Sequence, residues 1–423
     1  MNLHLRSVRI LSPGSAHHGQ TKDIHIADGK IASVAAPGKS IPKGATVIDC
    51  AGSCVSPGWF DLHVNFGEPG FEQREDLRSG AEAAAGGGFT GVLYMPSTSP
   101  PIQTKADVEF IRRRTEDGLV EVVPAGCLTV GREGKDLAEL YDMQLSGAKA
   151  FTDDQHPIRN AGVLLRALRY CKDFGGRVMV FAEDKDIAGK GQMNEGPVST
   201  RLGMKGIPAL AESLMIGRDL QVLEYTGGRL HFSTVSTAEG VDLIRNAKKK
   251  GLDVTADVSV AHLFLNDEAL EGFDSFYKVK PPLRGEADRQ ALIEGLIDGT
   301  LDAVTTDHRP HDTEGKMKEF ELAEFGMSGL ETGFAVLNTA LKGSVSDERI
   351  VEVLAVNPRK LLGLEVPVIE EGALANLTVY DPEKQWNVVA EDLRSRSVNN
   401  PFIGKSLSGK PIAVINRSRF QII

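Results

Sequence analysis

Three stretches of this chain gather side chains suited to acid–base or metal chemistry. "DLHVNF" places His63 and Asn65 two apart on an apolar run, and residues at i and i+2 of a strand face the same side. An imidazole pair at that spacing is a common way to present two ligands to a metal, but here the second member is an amide. "GAKAFTDD" ends in Asp153 and Asp154, and "TTDHRPH" sets Asp307, His308 and His311 directly behind an apolar segment. Imidazoles and carboxylates converging on one ion would lower the pKa of its bound water and make a hydroxide nucleophile. A late carboxylate can serve both as ligand and as proton acceptor. Each stretch also has a plainer reading. Asp153 and Asp154 are good helix caps, and a lone strand histidine such as His63 is more often a hydrogen-bonded core residue. "TDHRPH" resists that treatment, because three such groups in six residues behind a strand are costly unless they are used.

The elements that must position these groups follow from hydrophobic periodicity. Apolar runs at 58–65, 89–95, 120–127, 147–152, 177–183, 229–235, 252–258 and 300–306 read as strands. Amphipathic stretches such as "REDLRSGAEAAAGG", "AGVLLRALRYCKDF" and "TAEGVDLIRNAKKK" fill most of the gaps as helices. Eight strands alternating with helices fit a (β/α)8 TIM barrel, with a doubly wound open sheet as the alternative. In a barrel, functional side chains sit at the C-terminal ends of the strands. Both chain ends instead show short half-apolar runs broken by Asp-Gly, Pro-Gly and Gly. The expected organisation is therefore a small β-sandwich domain from residues 1–55 and 365–423, around a barrel spanning 56–364.

Composition narrows the function. The 423 residues carry a net charge of −10, which argues against non-specific nucleic-acid binding. No run approaches the 18 apolar residues of a membrane span, and "MNLHLRSVRI" lacks the apolar core of a signal peptide. Cys50, Cys54, Cys127 and Cys171 show no C-x-x-C spacing and read as reduced, mostly buried thiols of a cytoplasmic protein.

Collinear motifs extend the reading. "SPGWFDLHVNFGEPG", "REDLRSGAEAAAGGGFTGVLYMPSTSP", "GAKAFTDD", "MNEGPVSTRLGMKGIPALAES", "KVKPPLR", "LIDGTLDAVTTDHRPH", "GLETGF" and "NNPFIG" resemble the dihydroorotases over nearly the whole chain. The resemblance implies a barrel whose one or two zinc ions hold the hydroxide that attacks the cyclic amide of dihydroorotate in pyrimidine synthesis. It also implies losses. The second histidine of the family's His-x-His is Asn65, and the arginine that clamps substrate carboxylate is Gly67. Ligand histidines fall on Phe181 and Thr234, substrate-binding asparagines on Ser97 and Lys280, and the first histidine of "PHHL" on Ala261. The family positions retained are His63, Asp153 and Asp307 as an incomplete metal set, Asp307 as the residual general base, and His311 on the substrate side. Lys149 lies where some relatives carry a carbamylated lysine, and Lys280 offers one positive charge in place of the lost clamp.

Loss of even one ligand removes much of a zinc site's affinity. The expectation is no cofactor, or at most one weakly bound zinc. Two readings follow. One is a catalytically silent dihydroorotase-like protein kept for assembly, either as a homo-oligomer or with aspartate carbamoyltransferase, which such subunits hold in some bacteria. The other is a divergent cyclic amidohydrolase working with one metal.

Overall fold

The computed structural model describes residues 1–38 and 40–423. Seven of the eight barrel strands form regular ladders: Trp59–Val64, Phe89–Tyr94, Glu121–Pro124, Val178–Phe181, Leu230–Ser233, Val254–Ser259 and Ala303–Thr305. Every registered pair among them is parallel. The fourth strand is reduced to Phe151, which bridges Gly126 on one side and Val178 on the other. The ring closes where Val64 bridges His308. There the His308 amide donates to the His63 carbonyl at 3.1 Å, and the Asn65 amide donates to the His308 carbonyl at 2.9 Å. This is a closed (β/α)8 barrel.

Strands buried on both faces read as continuous apolar runs, and Trp59–Val64 and Phe89–Tyr94 are buried throughout. A carboxylate in such a strand must be satisfied internally. Asp61 shows how: it accepts the amides of His63 and Thr306, each at 2.9 Å, and the Thr305 hydroxyl, tying the first strand to the eighth. Helices begin at side-chain caps that satisfy their first free amides. Asp76 caps Leu77–Gly86, Thr104 caps Lys105–Thr115, Asn160 caps Ala161–Asp173 and Thr237 caps Ala238–Lys249.

The chain ends combine as their patterning suggested. Asn2–Ile10, Thr21–Ala27, Lys30–Ala35, Thr46–Asp49 and Cys54–Pro57 join Asn376–Asn387, Ser406–Asn416 and Arg419–Ile422 in one eight-stranded sheet. The sandwich is thus one continuous hydrogen-bonded sheet rather than two separate ones. Its apolar side chains, among them Leu3, Leu5, Ile24, Ile26, Leu377, Val379 and Ile415, form a core distinct from the barrel's. All four cysteines are free and buried. Among the described residues, no helix is long and apolar enough to cross a membrane.

Candidate functional site

Two polar clusters occupy the C-terminal half of the barrel. The deeper one joins three strands. His63 Nε2 and His231 Nε2 both bond Asp257 Oδ2, at 2.9 and 2.8 Å. The other Asp257 oxygen accepts the Thr234 amide at 2.7 Å, and His231 Nδ1 meets the Thr255 hydroxyl at 2.9 Å. All three members are buried. Burial disfavours charge on Asp257, yet the His63 cation and the two imidazole bonds hold its pKa well below the usual carboxylate range. Burial likewise opposes charge on His63, but the Asp257 carboxylate outweighs it and raises that imidazole's pKa. Burial wins at His231 and lowers its pKa. The shared Asp257 carboxylate and burial thus push the two imidazoles in opposite directions, His63 up and His231 down.

The outer cluster is organised by Arg309. Its Nε donates to Asp307 at 3.0 Å, and its two terminal nitrogens form a fork on Asp154, with Nη1 at 2.9 Å from Oδ2. Ser97 donates its hydroxyl to Asp154 and receives Arg132 Nη1 at 2.8 Å. Asp154 and Asp307 both adopt left-handed backbone, with φ of 54° and 48°. Such conformations are costly for residues other than glycine and persist only where surrounding bonds fix them. Burial resists ionisation of Asp154, but the guanidinium holds its pKa well below the ordinary range. Asp307 has only the single Nε bond from Arg309, and burial pushes it up to about 6.

The sequence candidates land in different places. His63 enters the deep cluster and Asp307 the outer one. Asp153 turns away, accepting the amides of Leu128 and Thr129, each at 2.9 Å, and the Thr129 hydroxyl. Burial raises its pKa to about 6 against those bonds. Its neighbour Asp154 carries the carboxylate that faces the mouth. His311 is buried and donates Nε2 to the Phe325 carbonyl at 3.0 Å, while its Nδ1 has no partner. Burial, with the charges of Arg74 and Lys316, pushes it down to about 3. Lys280 does not supply a free cation, because its ammonium pairs with Glu183 at 2.7 Å. Phe181 is buried at the end of the fifth strand, 6.0 Å from the Lys280 ammonium. Lys149 is exposed, in a groove shared with Arg112, Arg359 and Arg419 and not at the mouth.

Two central residues escaped the sequence reading. Asp257 stands in "LDVTADV", and a carboxylate inside a strand buried on both faces is itself a signal that imidazole or cationic partners converge there. Arg309 lies within "TDHRPH", but its main partner is 155 positions away, so nothing local marks its role.

The ligand types suit zinc, and the donor atoms of His63, His231 and Asp257 lie within 4.8 Å of one another. No group that includes both Asp153 and Asp307 gathers in this way among the described residues. The deep cluster is spaced as hydrogen-bond partners. Tetrahedral zinc at its usual bond lengths separates its ligand atoms by roughly 3.3 Å, whereas here both imidazole nitrogens sit within 2.9 Å of one carboxylate oxygen. The three offer two imidazole nitrogens and a carboxylate oxygen, a donor set of the kind zinc takes, here drawn together by hydrogen bonds.

A closed barrel with a sheet domain built from both termini, and imidazoles and carboxylates at its strand ends, is the cyclic amidohydrolase architecture. Among solved structures, the L-hydantoinase (dihydropyrimidinase) of Arthrobacter aurescens superposes with a TM-score of 0.87 at 26% identity, covering 100% of this chain and 97% of that one. A D-hydantoinase superposes with a TM-score of 0.84 at 24% identity, over 100% and 96%. Residues 52–240 match a family model described as Dihydro-orotase-like. A dihydroorotase of Pelotomaculum thermopropionicum is 45% identical over 398 residues, 94% of this chain and 93% of that protein. One from Syntrophus aciditrophicus is 41% identical over 421 residues, 99% of each. The chain belongs to the dihydroorotase family.

Proposed function

We propose that this protein is a dihydroorotase-family member of pyrimidine biosynthesis that no longer opens the ring, and that it serves as a structural or regulatory partner of a carbamoyl-transferring enzyme such as aspartate carbamoyltransferase. One observation carries the reading: Asn65, Phe181 and Thr234 stand at the first, fifth and sixth strands, where the resemblance to the family places metal-ligating histidines. A phenyl ring ligates nothing, and the amide and hydroxyl are weak ligands. Gly67 removes the bidentate carboxylate clamp, and Lys280 is committed to Glu183. Without a hydroxide generator and an anion clamp, the rate falls by at least about 10³-fold.

The test is dihydroorotate hydrolysis and carbamoyl-aspartate cyclisation with and without added zinc, paired with metal analysis of purified protein. The expected outcome is no turnover above background, no stoichiometric metal, and co-purification with a carbamoyltransferase from the native host. Turnover that rises with bound zinc would sink this reading. It would favour the second one, a divergent one-metal amidohydrolase, which has the proximity of His63, His231 and Asp257 in its support.

A further inference from the structure

The outer cluster gathers carboxylates from two strand ends onto one guanidinium. The fourth and eighth strands stand on opposite sides of an eight-stranded ring, and their terminal carboxylates, Asp154 and Asp307, are drawn to one cation. Both are held there by left-handed backbone. Arg309 leaves the chain two residues after Asp307, and only 11% of its side chain is exposed. Asp154 is saturated: two guanidinium bonds and the Ser97 hydroxyl fill it, and Ser97 is in turn held by Arg132.

We propose that Arg309 is a built-in cation that takes over the charge-balancing role of a metal between Asp154 and Asp307, so that this barrel mouth is complete without an ion. The inference deepens the reading of a non-hydrolytic family member and rests on it. Two ionised carboxylates from facing strands share a buried mouth only with a cation between them; otherwise one of them must hold a proton. A guanidinium supplies that charge in a fixed fork, but it has no open coordination position and cannot turn water into hydroxide at neutral pH. Fold stability and hydrolytic chemistry, which one ion serves together in a metalloenzyme, are thereby separated. His63 Nε2 is likewise occupied, by Asp257 at 2.9 Å.

Removal of the tethered charge should uncover latent metal affinity. The wild-type melting temperature is expected to be indifferent to EDTA and to zinc or manganese. Arg309→Ala is expected to melt about 5 °C or more lower in EDTA and to recover as divalent ion is added, with a dose dependence that follows linkage. Arg309→Lys keeps a point charge and should fall between the two. If Arg309→Ala yields no folded protein, the double variant Arg309→Gln/Asp154→Asn, which removes one of the two carboxylates that lose their partner and so restores the wild-type charge balance, should fold and ignore metal. Its failure to fold would overturn the charge argument. So would dialysis-resistant stoichiometric metal in the wild type, or an Arg309→Ala melting temperature unmoved by any ion. These readouts are independent of turnover. A metal-free wild type that hydrolyses dihydroorotate sinks the non-hydrolytic reading and leaves Arg309 as assigned. An inactive wild type with tightly bound metal does the reverse.

Discussion

At the scale of single residues, Gly67 shows how closely the backbone fills the space beside the first strand. Gly67 has φ of 78°, and a Cβ placed on it would lie 2.6 Å from the Phe71 carbonyl oxygen and 2.9 Å from that of Glu75. The backbone leaves no room for a side chain there, with the Phe71 amide bonded to the Gly67 carbonyl at 2.7 Å. Gly67→Arg is therefore expected to lose about 2 kcal/mol or more in denaturant unfolding without gaining affinity for dihydroorotate. Asp257 is the opposite case, a residue the present fold cannot spare. Asp257→Ala leaves His63 Nε2 and His231 Nε2 without their shared acceptor in the barrel and should cost about 3–5 kcal/mol, read by urea titration. The sequence marked the right strand ends but not which of two adjacent carboxylates faces inward. Asp153 and Asp154 differ in direction through a left-handed φ at Asp154, and no composition or period encodes that. Arg309 was equally illegible, since a partner 155 residues distant is set by barrel closure alone.

At the scale of elements, the eight strands were legible because burial on both faces forces continuous apolar runs. The fourth is the weakest ladder, held at Phe151 by bridges to the strands beside it. The segment after the eighth strand was not legible at all, because it is organised by buried cations and backbone carbonyls. Lys316 Nζ donates to the carbonyls of Lys278, Glu324 and Gly326, at 3.3, 2.8 and 2.8 Å. Lys278 Nζ donates to those of Phe320, Glu321 and Ala323, at 2.7, 3.1 and 2.7 Å. Each lysine is 1% exposed, so Lys316→Met would orphan the Glu324 carbonyl at roughly 1–3 kcal/mol and leave those of Lys278 and Gly326 only the Gly326 amide and Asn399 Nδ2. The expected result is faster amide hydrogen exchange across 313–327 with the barrel strands still protected.

At the scale of the whole molecule, stability should depend on pH through a group remote from the mouth. Burial raises Asp219 to about 7 despite its bond to Arg218. The folded state therefore keeps a proton that the unfolded chain releases near pH 4. The stabilisation this proton brings is full below that pH and is lost as pH rises through about 7, at up to about 1.4 kcal/mol per pH unit. Asp219→Asn should flatten that limb of a urea-midpoint profile. An unchanged slope would show that Asp219 does not set it. The two-body architecture was legible from matching turn-broken patterns at both ends, though its single continuous sheet was not. That sheet also bears on synthesis. The Trp59 amide finds its acceptor on Thr378, 319 residues later, and Cys54–Pro57 pairs with Asn376–Asn387. At translation rates of roughly 5–20 residues per second, the N-terminal strands wait about 20–60 s on the ribosome with an unpaired edge. The nascent chain therefore carries an aggregation-prone surface until its last tenth emerges, and slow late codons or a holdase would matter more here than in a protein whose domains close in chain order.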